Sequence, residues 1–294
     1  MIKAFKKFSL FGIVPFLLQV VFLPAALPYE DIKVMNGGTI EGKVFLKGSL
    51  PAPRAFLLSL SPFVDFCQKV SDGKGRVLLE EFNIDREGGM SDVIVAVQEV
   101  KKGKPFPPIR AKIFATDCMF HPAEVPVKEL YETDHMGKSH HIHPMVTVVQ
   151  NHQPITVLNK DPIFHNGQVF QRERGNIMLN FPLPTSGEPQ GGILKFDRGL
   201  RVSVMICGMH EFMQTWGFAV ENPYYSKTNR QGQYTIDQLP PGTYKVHAWY
   251  PHFKVSEREV EVKADGTVQL NFEFDSKKVK RRAFETEKGI RSFN

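Results

Sequence analysis

Cys207, His210 and Met213 fall three residues apart in "MICGMHEFM", placing a thiol, an imidazole and a thioether in one short stretch. Donors of this kind, packed so closely, can hold a metal ion that prefers sulfur and nitrogen. A copper site that cycles between Cu(I) and Cu(II) needs two imidazoles and a thiolate in a trigonal set, with a weak axial thioether. The second imidazole is His165, in "VLNKDPIFHNG". Zinc is a poorer match, because it favours thiolate, imidazole and carboxylate and has little use for Met213. Taken singly, a His is usually a satisfied polar residue and a Met beside a Cys is usually core. The ordered set of four points to metal.

Such a set needs rigid strands on both sides. "LRVSVMIC" alternates Leu200, Val202, Val204 and Ile206 on one face and delivers Cys207 at its end, and "TWGFAVEN" is the next strand. Phe212 and Trp216 beside the loop read either as an apolar docking patch or as core. Elsewhere "GTIEGKVFLKG", "SDVIVAVQEV" and "IRAKIFATD" are β-branched or alternating runs, and "MVTVVQNHQPITVLNKD" reads as two strands around a polar turn. "KTNRQGQYTIDQLPPGTYKVHAWYP" alternates turns and strands, with Pro241 and Gly242 shaping one turn. "SEREVEVKADGTVQLNFEF" predicts a hairpin about Asp265 and Gly266. One short helix is allowed in "PVKELYETDHM", bounded by Pro126 and Gly137. The expected fold class is all-β.

Lys3, Lys6 and Lys7 precede the apolar run "FSLFGIVPFLLQVVFLPAAL", the pattern of a secretory signal. Small residues for cleavage occur only at Ala25 and Ala26, so an uncleaved membrane anchor stays open beside a signal peptide. Either way the remainder is expected to be exported, periplasmic or membrane-associated through its N-terminus. The formal net charge of +6 is no case for nucleic-acid binding, since much of it sits in the first lysines and in the tail "SKKVKRRAFETEKGIRSF". That tail reads as a solvated terminus, or less readily as a basic patch for an acidic redox partner or a lipid surface. In an oxidising compartment two of the three cysteines can pair, and Cys67 with Cys118 is the candidate pair. Cys207 is then left over, as a metal thiolate would be; three buried free thiols are the alternative.

The quoted segments carry two resemblances. The loop C-x-x-H-x-x-M after an alternating strand, with the earlier "FHN", resembles the cupredoxins, in the short-loop form of amicyanin. That resemblance implies a Greek-key sandwich over about 110–221, with His165, Cys207 and His210 as equatorial ligands and Met213 as the axial one. It also implies that Asn166 hydrogen-bonds across to the Cys207 loop. "GQYTIDQLPPGTYKVHAWYP", together with "GGTIEGKVFLKG", resembles the carboxypeptidase regulatory-like domain, a small transthyretin-like β-sandwich. The series "FCQK", "HPMVTVV", "NKDPIFHN", "CGMHEFM", "NPYY" and "PPGTYKV" is similar to exported bacterial proteins described as cupredoxin-like or methylamine-utilisation-like. The chain departs from them at Tyr250, where relatives tend to have His, and in the long segment from Ala123 to Ile142.

The expected organisation is a signal or anchor at 1–28, a first part of the transthyretin-like sandwich at 36–105, a cupredoxin-like domain at 106–221, the regulatory-like part at 222–275 and a basic tail at 276–294. The first and fourth pieces are expected to form one sandwich interrupted by the second domain; consecutive independent domains are the alternative. His140, His141 and His143 lie in a His-rich tract that reads as a surface loop or as a secondary metal site. His121, His247 and His252 read as incidental, structural or exposed. No nucleophile elbow, phosphate loop or paired carboxylates stand out, so an enzyme is not expected. The expected function is one-electron transfer through copper to a periplasmic redox protein such as a cytochrome or dehydrogenase. The alternatives are copper storage or delivery, or a structural β-sandwich without metal.

Overall fold

A computed structural model describes residues 29–126, 131–133, 139–141, 146–172, 175–197 and 199–281. The proposed signal or anchor and the tail from 282 onward lie outside these residues, as does His143. No helix among the described residues is long and apolar enough to cross a membrane.

The chain is all-β. A five-stranded sheet runs in the order Val146–Gln150, Gln214–Val220, Val202–Cys207, His165–Gln171, Ile177–Leu183. One face of it shares a core with a four-stranded sheet ordered Gln190–Ile193, Pro154–Asn159, Ala111–Thr116, Met119–Pro122. Val146–Gln150 pairs in parallel with Gln214–Val220, and Pro154–Asn159 pairs in parallel with Ala111–Thr116. Parallel neighbours cannot be joined by a tight hairpin, so these strands cross between the two sheets of this central sandwich.

A second, flanking sandwich has one sheet of Tyr225–Lys227, Ile94–Val97, Gly242–Trp249 and Ser256–Val262. Its other sheet is built on Gly38–Lys47, which pairs with Gln233–Leu239 on one side and with Thr267–Gln269 and Phe272–Asp275 on the other. Segments from both ends of the chain therefore share one sheet. The turn at Asp265 and Gly266 does not close a hairpin. It carries the chain from Ser256–Val262, in one sheet, to Thr267–Gln269, in the other. The alternation on both sides of the turn is real, but periodicity records which side chains are buried and not which strand is the partner.

The middle of the five-stranded sheet is buried on both faces, so Gln214–Val220 is buried at every position, whereas the edge strand Ile177–Leu183 is largely exposed on one face. Val202, Val204, Trp216, Phe218 and Val220 join the core of the flanking sandwich, with Leu200 and Ile206 packed against it. Met205, Cys207 and Ala219 belong to the core of the central sandwich. The apolar face readable in "LRVSVMIC" is thus the back of the sheet, and Cys207 points the opposite way. Each fully buried apolar side chain here contributes about 1.5–3 kcal/mol, and Trp216, set edge-on to Trp249, belongs to this seam between the sandwiches.

One expectation fails locally, and another is qualified where the tail begins. Tyr131–Thr133 is a strand paired with Ser139–His141, not part of a helix. The start of the basic tail is held down: Lys280 N–H donates to the His252 carbonyl, and Arg281 donates to Glu81 and to the Ala52 carbonyl. Phe212 and Trp216 are both core residues, so they form no docking patch.

Candidate metal centre

Strand register brings the donors together. Gly167 lies opposite Cys207 in the antiparallel pair of His165–Gln171 with Val202–Cys207. His165 is two residues from Gly167 and so on the same face, diagonal to Cys207. The loop beyond Cys207 is two successive turns, with His210 N–H donating to the Cys207 carbonyl at 3.2 Å and Met213 N–H to the His210 carbonyl at 2.9 Å. Cys207 N–H closes the loop onto the Met213 carbonyl at 3.0 Å. The spacing C-x-x-H-x-x-M is the spacing of these two turns. Gly208 leaves room for two side-chain ends at the crossing: a Cβ there would lie 2.6 Å from Asn166 Oδ1 and 2.9 Å from Gln168 Nε2, and both would have to shift.

His165, Cys207, His210 and Met213 are all fully buried. Cys207 Sγ lies 3.8 Å from His165 Nδ1 and 3.6 Å from His210 Nδ1, and the three donor atoms all fall within 4.8 Å of one another. Met213 sits in the same core, tied by its backbone to Cys207 and His210. The outer nitrogens of both rings are engaged. His165 Nε2 is 2.9 Å from Asp161 Oδ2, and His210 Nε2 is 3.0 Å from the Pro62 carbonyl. A carbonyl and a carboxylate can only accept, so each Nε2 carries a proton; each Nδ1 then turns a lone pair towards the sulfur when the ring is neutral, and donates to the thiolate when the ring is charged.

Burial pushes the Cys207 thiol up, but hydrogen bonding to His165 and His210, with the backbone N–H groups of Asn166 and Met209, outweighs it and brings the thiol down to about 6. Burial likewise pushes His165 down, and the bonds to Asp161 and Cys207 more than reverse this.

Asn166 joins the two ligand segments by its backbone. Its N–H approaches Cys207 Sγ at 3.5 Å, and its carbonyl accepts from Gly208 N–H at 2.9 Å. The link from Asn166 to the Cys207 loop is thus made by its backbone, while its side-chain amide donates to Asn180 Oδ1 and to the Phe181 carbonyl on the next strand.

Cys67 and Cys118 form a disulfide, and Cys207 is free and buried. Between the short strands Arg54–Leu57 and Arg76–Leu79, the chain forms a compact cap that includes the helical turn Val64–Cys67. The disulfide staples this cap to the Asp117–Cys118 turn, where both residues have positive φ and their N–H groups donate to Asp161. Cys67 Sγ is 3.7 Å from His210 Nε2, and the Phe63 ring lies over the same imidazole at 6.4 Å between centroids. Asp161 and the cap were not legible as parts of the site. Asp161 stands in the quoted "NKDPIFHN", and a carboxylate four residues before a ligand histidine was the available signal.

A second cluster of donors, Cys118, Asp161 and His165, is close in space, but the Cys118 sulfur is in the disulfide and offers no thiolate. Ser139–His141 is described only as backbone, and His143 lies outside the described residues. His121 is buried beside Phe114 in the central sandwich, and His247 pairs with Glu257 in the flanking one.

Comparison with known proteins adds the following. Residues 219–275 match the carboxypeptidase regulatory-like domain family. No curated protein matches the chain. Among solved structures, the chain is similar to a Cu-containing nitrite reductase (NirK) from Thermus scotoductus SA-01, at 14% identity and a TM-score of 0.27, covering 40% of this chain and 24% of that one. It is also similar to a purple cupredoxin from Nitrosopumilus maritimus, at 17% identity and a TM-score of 0.24, covering 37% and 99%. A Cu(I) structure of an amicyanin mutant gives 12% identity and a TM-score of 0.24, covering 43% and 98%. These structural likenesses are weak, and the functional reading rests on the site itself.

Proposed function

We propose that this chain binds one copper ion through His165, Cys207 and His210, with Met213 as a weak axial donor, and passes single electrons outside the cytoplasm. The observation that carries this reading is the facing arrangement of one sulfur and two Nδ1 atoms. Their separations of 3.6 and 3.8 Å fit a shared metal, since bonds of about 2.0–2.3 Å at trigonal angles hold sulfur and nitrogen about 3.7 Å apart. Copper in such a site supplies a one-electron Cu(I)/Cu(II) couple.

The chain's own residues keep the site from rearranging. Asp161 and the Pro62 carbonyl fix the two ring orientations, Asn166 and Gly208 lock the segments together, and full burial excludes water. Full burial and the stapled cap favour retention of the ion over its delivery to another protein, and they leave no open position for a substrate. A cytochrome or a dehydrogenase is the class of partner this function needs. The test is addition of Cu(II) to the purified chain. An intense blue thiolate-to-copper band, absent in Cys207→Ser, is the expected result. A colourless protein with weakly held copper would favour delivery, and no binding would leave a structural β-sandwich protein.

A further inference from the structure

Glu81 is fully buried and surrounded by cationic and polar groups from three parts of the chain. Arg54 Nε and Nη2 donate to its two carboxylate oxygens at 3.0 and 2.5 Å. His252 Nε2 lies 2.7 Å from one oxygen, and Arg281 Nη1 donates to the other at 3.0 Å. Tyr250 donates to the Glu81 backbone carbonyl. Burial pushes the carboxyl up, but His252 and Arg54 overcome this and hold it down at about 2.

One arm of this cluster leaves it. Arg54 Nη2 also donates to Gln214 Oε1 at 3.0 Å, and Gln214 Nε2 donates back to the Glu211 carbonyl at 2.5 Å. Gln214 directly follows Met213, and Glu211 directly follows His210. The same strand then packs Trp216 on His252, with ring centroids 5.4 Å apart. The loop carrying two of the four donors is therefore gripped from behind by groups whose anchor, Glu81, is fixed by Tyr250, His252 and Arg281 of the flanking sandwich and tail.

We propose that the Arg54–Glu81 pair is a positioning device for the metal loop, through which the flanking sandwich sets where His210 and Met213 stand. A side chain that only filled space would need no fork aimed at Gln214. The planar guanidinium holds two carboxylate oxygens and the Gln214 amide in one plane, which a lysine ammonium cannot do. On this account the sandwich does more than extend the molecule: it backs the loop and limits its opening.

The test uses the full chain without metal and with its disulfide intact. Cys207 is its free thiol and is fully buried, so its alkylation by iodoacetamide reports opening of the loop. Glu81→Gln and Arg54→Lys are expected to speed alkylation about tenfold, the equilibrium equivalent of one lost charge-assisted hydrogen bond. Arg281→Ala, which removes an arm that does not reach Gln214, should give a smaller increase. Val262→Ala, a core truncation in a strand of the flanking sandwich, serves as the control: it should lower the thermal midpoint while leaving the alkylation rate within about twofold. Should Glu81→Gln not fold, Arg54→Lys and Arg281→Ala decide the matter. Rates that track the thermal midpoint across all variants, the control included, would overturn the proposal, as would rates unchanged in Arg54→Lys.

A second readout rests on the copper reading. At full Cu(II) loading, Arg54→Lys should shift the energy of the thiolate-to-copper band, and Val262→Ala should not. Absence of a band in the unmodified chain sinks the copper reading, while the alkylation rates still judge the positioning role.

Discussion

Two buried polar clusters lie on either side of residues 207–214, and they differ in what they leave unsatisfied. Around Glu81 the carboxylate is fully met, by two guanidinium groups and an imidazole, and its backbone carbonyl has Tyr250; what is left over is one buried nitrogen, His252 Nδ1. Around Cys207 the account is open, because with both rings neutral two Nδ1 lone pairs and a sulfur face one point, and the thiol has one proton for two acceptors. Burial of polar groups is therefore not itself the mark of a site. The mark is a convergent surplus of one kind of group, here acceptors that call for a cation.

The sharpest way to break this comparison is to remove the centre of each cluster. Cys207→Ser should abolish the blue copper band while the metal-free chain still folds. Glu81→Gln should cost about 3–5 kcal/mol of stability, as expected when a buried ion pair loses one partner, read by urea unfolding. The pH dependence follows. The Glu81 carboxyl falls from an ordinary 4.5 to about 2 on folding, so its contribution of about 3 kcal/mol is fully present above pH 4.5 and is lost as pH falls through 2. Glu81→Gln should flatten that part of the acid-unfolding profile; an unchanged profile would assign the acid loss elsewhere.

Next in size is the staple. Replacing Cys67 and Cys118 together by Ser should cost about 2–4 kcal/mol and uncover the outer edge of His210. Faster loss of bound copper to a chelator is the accompanying expectation, and an unchanged loss rate would mean that the cap does not guard the ion. Asp161→Asn, which keeps the shape but weakens the hold on His165, should lower copper affinity by about 10–100-fold, measured by competition with a chelator of known affinity. The smallest effect belongs to Asn166→Ala. It should cost at most about 1–2 kcal/mol for the lost side-chain bonds and leave the copper band in place, because the backbone links the ligand segments.

Much of the all-β character was legible. "SDVIVAVQEV" gives Ile94–Val97, and "LRVSVMIC" gives Val202–Cys207. The clustering of His165, Cys207 and His210 follows an order along the chain that the eye can find. What escaped was set by pairing and by distant contacts. The alternation from Ser256 to Phe274 could not reveal that its turn changes sheets. Likewise, the face marked by Val202 and Val204 could not tell that a second sandwich covers it. Arg54, Glu81 and Asp161 stand in "PAPRAFLL", "VLLEEFNI" and "NKDPIF", with no motif around the first two. Their importance comes from neighbours such as Gln214, His252 and Cys118 that only folding supplies.

The pairing of Val44 with Phe272 has a consequence for synthesis. Gly38–Lys47 is made well before two of its partners, Thr267–Gln269 and Phe272–Asp275, and the whole central sandwich lies between them in the chain. The central sandwich, by contrast, draws its strands from one uninterrupted stretch between Ala111 and Val220. The growing chain can therefore close the central sandwich while Gly38–Lys47 still has open edges. Those waiting edges are exposed to mispairing with a neighbouring chain until the later strands are made.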